Sequence, residues 1–174
     1  MHPFERQHDE LQDLVNDHDE VIGTIWRSEV FAQGVVHTRN INAFLVNRAG
    51  QLWIPRRSLG KSRWPGAYDM GVGGAVGAGE SYEQALFREA QEELNLDLKA
   101  LPWRELGRFS PLTSGLSSFQ RVYEIRTDDV PEFNPDDSSG GKWTTPLELR
   151  RRIAGGEAAK GDLLPLLALL YPAS

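Results

Sequence analysis

Apolar residues recur at helical spacing over residues 81–94 and form one stripe along a predicted helix. The stripe consists of Leu86, Phe87, Ala90 and Leu94. Ser81 followed by Gln84 matches a capping box, in which each side chain satisfies a backbone N–H at the start of a helix. Asn95 adopts the left-handed conformation that ends many helices more readily than most residues do. These features predict a helix over residues 81–94.

Shorter apolar segments, rich in β-branched and aromatic residues, predict β-strands before this helix. Leu11–Val15 and Val21–Trp26 flank an Asn-Asp-His-Asp turn, which indicates an N-terminal β-hairpin. Residues 35–46 and 51–55 flank Asn-Arg-Ala-Gly, which indicates a second and more buried hairpin. Pro55 fits the end of its strand, because proline cannot donate a ladder hydrogen bond.

Two more strands and a long loop are predicted after the helix. Residues 101–109 and 117–126 have strand composition and are separated by a turn-rich Ser-Pro-Leu-Thr-Ser-Gly-Leu segment. Residues 127–142 are rich in Asp, Pro, Gly and Ser, so they predict a long surface loop.

The C-terminal part of the chain contains two helix-start patterns. Thr145 is a favourable N-cap and Pro146 a favourable first helical residue, so a helix is predicted to about residue 154, where two glycines follow. Asp162 is placed to cap a last short helix over residues 163–171.

This order of elements predicts an α+β fold, an α/β sandwich in which a mixed β-sheet lies between helices. A chain of 174 residues with 40% hydrophobic residues is long enough for one well-buried core. We therefore expect a single domain over residues 1–174, with an N-terminal hairpin extension over about residues 1–34.

Charge and composition narrow the partners and the compartment. A net charge of −6 argues against a nucleic-acid polymer as the main partner, because neutralising its phosphates needs clustered cations. The polar first residues lack the apolar core of a signal peptide, and the apolar run 163–171 is too short to span a bilayer. We therefore expect a soluble protein with no membrane partner. The absence of cysteine fits a reducing cytoplasm, and the oligomeric state stays open.

The predicted helix carries a cluster of like charges. Glu89, Glu92 and Glu93 share one face, where each neighbouring pair costs about 0.2 to 0.5 kcal/mol. A solvated acidic face is the simpler interpretation of so short a fragment. The functional interpretation is a hard divalent cation, because it takes oxygen ligands and, as Mg²⁺, also binds substrate phosphates. Arg88 is placed to orient one of these carboxylates.

A longer register decides between these interpretations. Residues 74–96 read Gly, five residues, Glu, seven residues, and then Arg-Glu-Ala-Gln-Glu-Glu-Leu-Asn-Leu. This register resembles the Nudix box, the signature of the Nudix hydrolase family. The positions that match it are Gly74, Glu80, Arg88, Glu89, Glu92, Glu93 and Leu96. Ala90 replaces a bulky aliphatic residue, and Asn95 replaces a glycine, for which asparagine is the next best residue at positive φ.

The resemblance implies a Nudix-type fold and metal-dependent hydrolysis of a diphosphate linkage. The small-molecule substrate would be a nucleoside di- or triphosphate or a nucleoside diphosphate derivative, and the cofactor Mg²⁺ or Mn²⁺. The implied metal ligands are Glu89, Glu93, Glu92 and the Gly74 carbonyl. Arg88 would position Glu89, and Glu80 would support the loop before the helix. Glu92 would alternatively hold the attacking water.

The same resemblance leaves the general base open. In some Nudix enzymes the base is the equivalent of Glu89, and in others it is a carboxylate of a distant loop. The candidates in such a loop are Glu132, Asp136 and Asp137.

A basic segment precedes the box and contains Arg56, Arg57, Lys61 and Arg63. Composition alone fits a solvated loop equally well. Beside a metal and diphosphate site, such cations would hold the phosphate oxygens that the metal leaves free. Arg56 and Arg57 are the predicted substrate-binding pair, and strand alternation predicts that one of them contributes more than the other.

Two alternatives accompany the hydrolase hypothesis. Residues 42–80 are also similar to isopentenyl-diphosphate isomerase, in paired arginines, Lys-Ser and Trp-Pro-Gly. That family protonates its substrate with a cysteine just before the box glycine and binds metal through a histidine just after it, where Gly73 and Ala75 stand here. The other alternative is a non-catalytic nucleotide-sensing domain, which would have no need of the box carboxylates that this chain retains.

Overall fold

The computed structural model describes residues 9–173. Residues 1–8, the predicted polar start of the N-terminal extension, lie outside the described residues, as does Ser174. The strands are β1 (Leu11–Val15), β2 (Val21–Trp26), β3 (Arg39–Val46), β4 (Leu52–Arg57), β5 (Val72–Ala75), β6 (Trp103–Phe109), β7 (Phe119–Arg126) and β8 (Ser138–Thr144). The helices are α1 (Arg27–Gln33), α2 (Tyr82–Leu94), α3 (Pro111–Ser114), α4 (Pro146–Ala154) and α5 (Leu163–Leu170).

The larger of two sheets is mixed and has the strand order β6-β7-β3-β4-β8, with β5 also paired to β3. Strands β3 and β7 run parallel, whereas β3 pairs antiparallel with both β4 and β5. The smaller sheet is the antiparallel hairpin of β1 and β2. The α+β class, the mixed sheet and the N-terminal hairpin are therefore confirmed.

Two apolar clusters cover the two faces of the mixed sheet. Alternate residues of β3 point to opposite faces, as the period of a strand requires. Ile41 and Leu45 belong to the cluster that α2 covers, and Phe44 belongs to the cluster that α5 covers. The sheet is thus sandwiched between α2 on one side and the C-terminal helices on the other.

Helix α2 begins and ends as its local sequence predicts. The Ser81 hydroxyl accepts a hydrogen bond from the Gln84 N–H at 3.1 Å, and the Gln84 side chain accepts one from the Ser81 N–H at 2.8 Å. Asn95 ends the helix with a left-handed φ of 52°. The predicted apolar stripe faces the core, with Leu86, Ala90 and Leu94 buried.

The N-terminal hairpin packs against the loop that leads into α2. The Ala78 N–H donates to the Leu11 carbonyl at 2.9 Å, and the Gly79 N–H donates to the Asp13 carboxylate at 3.2 Å. At the hairpin turn, Asp19 accepts hydrogen bonds from Arg39 at 2.6 Å and from the Tyr82 hydroxyl at 2.9 Å. The extension therefore holds the loop and the first residue of α2 in place.

Two strands lie where the sequence predicts loop. Strand β5 forms within the glycine-rich stretch before α2, and β8 occupies part of the predicted surface loop 127–142. Both have glycine-rich sequences with weak strand propensity, and both form through pairing: β5 pairs with β3, and β8 pairs with β4. Distant partners, not local preference, determine these strands.

Other boundaries also differ from prediction. Strand β4 continues past Pro55 to Arg57, because a bulge between these residues accommodates the missing proline N–H. Strand β3 begins at Arg39, later than predicted, and β6 and β7 each begin two residues later than predicted. Helix α1 was not predicted, and the short helix α3 lies within a predicted turn.

Asp162 does not cap α5 with its side chain, which corrects the prediction. Its carboxylate instead accepts hydrogen bonds from the Ser117 hydroxyl at 2.5 Å and from the Gln120 amide at 2.6 Å. It therefore joins the start of α5 to the start of β7. Within residues 9–173, no helix combines the length and the apolar composition that a bilayer crossing requires.

Removing the Asp162 carboxylate should destabilise the fold. Hydrogen bonds to a charged group contribute about 1.5 to 3 kcal/mol, so Asp162→Ala should lower the free energy of unfolding by about that amount. Asp162→Asn, which keeps one acceptor oxygen, should lose less. Urea unfolding of the three proteins measures the difference, and equal midpoints would show that this carboxylate does not hold α5 to β7.

Candidate active site

The site lies where the mixed sheet divides. Strand β3 meets β4 at the Val46–Leu52 pair, and further along its length β3 pairs with β5 instead. Strand β4 turns away and pairs with β8. The space between β4 and β5 is a small cleft of about 40 Å³, which α2 borders through Glu93 and Leu94. The other charged residues that line this cleft are Arg56, Arg57, Lys61, Asp69 and Asp137.

Glu89 lies against β5, and this contact requires glycine at residue 74. A Cβ atom on Gly74 would lie 2.2 Å from Glu89 Oε1 and 2.3 Å from its Cδ, distances at which atoms overlap. Burial raises the pKa of Glu89, and Glu92 and Glu10 raise it further, whereas Arg88 opposes the change. Glycine therefore allows a carboxylate into a position that costs it solvation.

Glu93 lies at the free edge of β5. Its Oε2 accepts a hydrogen bond from the Gly73 N–H at 3.1 Å. Burial of the carboxylate raises its pKa well above the ordinary value of 4.5, and the negative charges of Glu89 and Asp69 raise it further. The Gly73 N–H and Lys160 oppose this change without outweighing it. A neighbouring cation would relieve this unfavourable charge.

The register of β5 determines which carbonyl faces the same edge. The Val76 N–H donates to the Arg39 carbonyl, so the hydrogen-bonded pairs of this antiparallel ladder include Ile41 with Gly74. Gly73 belongs to the alternate pairs, whose N–H and C=O point away from β3. The hydrogen bond from the Gly73 N–H to Glu93 agrees with this orientation. Alternation thus favours the Gly73 carbonyl, and not that of Gly74, on the side of Glu93.

Arg88 is the centre of a hydrogen-bond network that joins α2 to the end of β5 and to the loop between them. Its guanidinium donates to Glu80 at 2.9 and 3.0 Å, to Glu89 at 2.7 Å and to the Ala75 carbonyl at 3.1 Å. Burial works to raise the pKa of Glu80, but hydrogen bonds from Arg88 and the Gly77 N–H outweigh it and leave that pKa lowered. Glu80 stays ionised, and Arg88 is fixed beside Glu89.

Glu92 is the most exposed of the three box carboxylates in α2. It lies 3.4 Å from Arg88 and faces an open groove of about 770 Å³ between α2 and the N-terminal hairpin. The groove is lined mainly by acidic and neutral residues, among them Glu10, Gln12, Glu80 and Gln84. Within residues 9–173, no three acidic or histidine side chains come together as a complete metal site.

The paired arginines of β4 have different partners. Arg57 donates to the Asp69 carboxylate at 2.7 Å, and both side chains are largely buried. The Arg56 guanidinium stacks 3.9 Å from the centre of the Tyr68 ring and pairs with Glu157. Arg57 is therefore connected to the Asp69 carboxylate beside Glu93, whereas Arg56 is connected to the segment before α5.

The loop between β7 and β8 separates the three candidate bases. Asp137 lines the cleft with Glu93 and pairs with Lys61 at 2.5 Å. Glu132 instead accepts a hydrogen bond from Asn95 at 3.0 Å, beyond the end of α2. Asp136 is exposed and does not line the cleft. Of these three residues, the fold brings Asp137 to the cleft.

Asp69 and Lys160 also reach this site, although sequence reasoning did not single them out. Asp69 lies between Arg57 and Lys160, and its Oδ1 is 3.4 Å from Lys160 Nζ. Asp69 lies between the basic segment and the box glycine, Gly74. It is the one acidic residue from Arg56 to Gly74, and that was a usable signal. Lys160 lies far from the box in sequence, and its position follows only from the fold.

Comparisons with known proteins find a family model and similar proteins that cover most of this chain. A family model described as NUDIX domain matches residues 36–167. A Nudix hydrolase of Deinococcus radiodurans is 56% identical over 163 residues, which cover 94% of this chain and 95% of the relative. The crystal structure of DR0079 from the same organism has a TM-score of 0.90 at 56% identity and covers 93% of this chain and 99% of that chain.

Isomerase relatives are present at lower identity, in line with the resemblance of residues 42–80. An isopentenyl-diphosphate Delta-isomerase of Agromyces mediolanus is 29% identical over 167 residues, covering 94% of this chain and 81% of that enzyme.

The family model and the D. radiodurans relative each cover most of this chain. With the box arranged on α2 as described, the chain belongs to the Nudix hydrolase family.

Proposed function

We propose that the protein hydrolyses a diphosphate linkage in a nucleoside di- or triphosphate or a nucleoside diphosphate derivative, with Mg²⁺ or Mn²⁺. The observation that carries this proposal is the meeting of Glu93 with Arg57 in one cleft, with Glu89 close by across β5. Carboxylates suit a cation, and a guanidinium suits phosphate oxygens, so the cleft has complementary charges for a metal-bound diphosphate.

The carboxylates at β5 fit a divalent cation that is only partly enclosed by protein. Burial raises the pKa of both Glu89 and Glu93, and the negative charge of Glu89 raises the pKa of Glu93 further. Mg²⁺ typically uses one or two protein carboxylates and completes its shell with waters and substrate phosphates. Glu89, Glu93 and the Gly73 carbonyl would hold it, and Glu92 would be the further ligand. When bound, the cation would stabilise charge on the diphosphate and lower the pKa of water.

The remaining residues bind, orient and accept a proton. Arg57 would hold phosphate oxygens, and Arg88 would keep Glu89 oriented while Glu80 keeps Arg88 in place. A base must take the proton of the attacking water. Glu89 and Asp137 are the two carboxylates whose positions support that role. Asp137 lines the cleft, whereas Glu132 lies beyond the end of α2 and does not.

Isomerase chemistry has less support. The position before the box glycine is Gly73, and the chain has no cysteine to serve as the proton donor that this family uses. A sensing domain is also less well supported, because it would have no need of the box carboxylates, and burying Glu89 and Glu93 is costly.

Removing the metal should abolish activity. Purified protein would be incubated with nucleoside di- and triphosphates, nucleoside diphosphate derivatives and isopentenyl diphosphate, each with Mg²⁺ or with excess chelator. We expect release of orthophosphate or a monophosphate from at least one nucleotide, only with the metal, and no dimethylallyl isomer. Turnover in excess chelator would contradict the metal dependence, and formation of the isomer would contradict the hydrolase assignment.

Neutralising Glu93 should separate catalysis from stability. Glu93→Gln should lower turnover about 100-fold or more, because a ligand charge is lost. Without metal, its melting temperature should exceed that of the wild type at neutral pH. A carboxyl group whose pKa is raised in the folded state stabilises the fold below its ordinary value of 4.5, and this stability is lost as the pH rises through the folded-state pKa.

The advantage of the glutamine variant should therefore shrink as the pH falls towards 4.5. Added Mg²⁺ should raise the melting temperature of the wild type and leave that of Glu93→Gln unchanged. Glu83→Gln, in the exposed first turn of the same helix, is the matched control and should keep wild-type turnover. A lower melting temperature for metal-free Glu93→Gln at neutral pH would mark Glu93 as a structural residue.

The two arginines of β4 should differ. Arg57→Ala removes a charge-assisted contact to phosphate, so kcat/KM should fall about 10- to 100-fold. Arg56→Ala should lose less efficiency and more thermal stability, because Glu157 and Tyr68 lose their partner. Arg48→Ala, whose guanidinium is almost fully exposed, serves as the control. Wild-type kinetics for Arg57→Ala would rule out a phosphate role for that residue.

A further inference from the structure

We propose that Lys160, a residue outside the Nudix box, binds a phosphate oxygen of the substrate at the free edge of β5. The inference rests on the diphosphate hydrolase function proposed above. It also assigns Asp69 as the counter-ion that holds Lys160 and Arg57 ready for the phosphate.

The backbone around Lys160 is fixed against the cleft wall. The Lys160 N–H donates to the Tyr68 carbonyl at 2.8 Å, and the Tyr68 N–H donates to the Ala158 carbonyl at 2.9 Å. These two bonds form a parallel bridge between Tyr68 and Ala159. On the other side, the Leu163 N–H donates to the Lys160 carbonyl at 3.0 Å. The segment before α5 is thus attached to the residues that lead into β5.

The same segment is anchored further by Glu157. Its carboxylate accepts a hydrogen bond from the Tyr68 hydroxyl at 2.8 Å and pairs with both Arg56 and Arg152. This explains the different environment of Arg56: it holds the segment that carries Lys160. The flexible side chain of Lys160 therefore extends from a backbone segment that these contacts hold in place.

The ammonium group of Lys160 reaches β5 from the face opposite to α2. A Cβ atom on Gly73 would lie 3.7 Å from Lys160 Nζ and 2.6 Å from Asn42 Oδ1, and Asn42 belongs to the face away from Glu89. The Gly73 N–H donates to Glu93. Lys160 and Glu93 thus approach one glycine from different directions, and Lys160 lowers the pKa of Glu93 through its charge.

Lys160 is less committed to protein partners than the other cations near the site. Arg88 is bonded to three acidic side chains, and Lys61 pairs with Asp137 at 2.5 Å. Among the described residues, Lys160 Nζ has its ion pair with Asp69, at the longer distance of 3.4 Å. Asp69 already accepts from Arg57 at 2.7 Å and from the Met70 N–H at 2.8 Å. The Lys160 ammonium group can therefore leave Asp69 and bind a phosphate oxygen, while Asp69 keeps its hydrogen bonds from Arg57 and the Met70 N–H.

The charge arrangement supports a phosphate as the ligand. Asp69 and Glu93 line one cleft, and the negative charges of Glu89 and Asp69 both act on Glu93. A diphosphate adds further negative charge. A cation held by the two glutamates neutralises one part of it, and Arg57 with Lys160 would neutralise the part that extends past β5. The lysine ammonium group acts as a point charge, so it can bind such an oxygen without requiring one fixed direction of approach.

The test compares Lys160→Met, which keeps the length of the side chain, with Lys160→Arg, which keeps its charge. Lys99→Met, at an exposed lysine after α2, is the matched control. With Mg²⁺ and a hydrolysed nucleotide, we expect Lys160→Met to raise KM about 10- to 100-fold, with a much smaller change in kcat. Lys160→Arg should recover most of this loss, and Lys99→Met should behave as the wild type.

A structural role predicts a different result. If Lys160 only stabilises Asp69, Lys160→Met should lower the melting temperature and leave KM unchanged, and that outcome overturns the proposal. Should the methionine variant fail to fold, Lys160→Gln is measured by the same criteria. An unchanged KM in a folded, uncharged variant also overturns it.

Calorimetry separates this inference from the proposed function. Methylenediphosphonate, a diphosphate analogue that cannot be hydrolysed, would be titrated into each protein with Mg²⁺. Weaker binding by Lys160→Met than by the wild type supports the phosphate contact, even if no nucleotide is turned over and the hydrolase proposal fails. Equal affinities of the wild type and Lys160→Met overturn the contact, even if the wild type is an active hydrolase.

Discussion

The burial of two like-charged carboxylates beside one strand is the constraint on which the rest of this structure depends. Glu89 and Glu93 lose solvation and repel each other, so the protein must hold them where they would not stay unaided. Gly74 leaves room for one of them, and the Gly73 N–H holds the other. A short glycine-rich strand with one free edge meets both requirements, and β3 supplies the pairing that makes it a strand.

Much of the surrounding fold keeps this arrangement in place. The N-terminal hairpin binds the loop between β5 and α2 through Leu11 and Asp13, and Glu80 in that loop fixes Arg88. An arginine held by Glu80 can orient Glu89 without swinging away to solvent. The extension is therefore connected to the chemistry through three successive contacts, although none of its described residues belongs to the Nudix box.

The sequence predicts those parts of the site whose geometry is local. Helix α2 and its caps follow from local signals, and helical periodicity places Glu89 beside both Glu92 and Glu93. The exposure of Glu92 at the groove and the burial of Glu93 at the cleft depend on the elements that pack against the helix. Strands β5 and β8 could not be predicted, because Val-Gly-Gly-Ala and Ser-Ser-Gly-Gly have little strand propensity and depend on distant partners. Asp69 and Lys160 meet across a long stretch of chain, so only the fold brings them together.

The locally determined helix and the elements that only the fold brings together also divide the proposed function between them: the helix would serve the reaction, and the other elements would serve the choice of substrate. Under the proposed function, the box carboxylates would act on the diphosphate that all such substrates share, and one helix can present them. The remainder of the substrate would then lie against other elements that border the cleft, namely the end of β4, the loop before β8 and the segment before α5. Ion pairs join these elements, Lys61 with Asp137 and Arg56 with Glu157. Changes in these segments can alter substrate choice while the helix, and with it the reaction, stays the same.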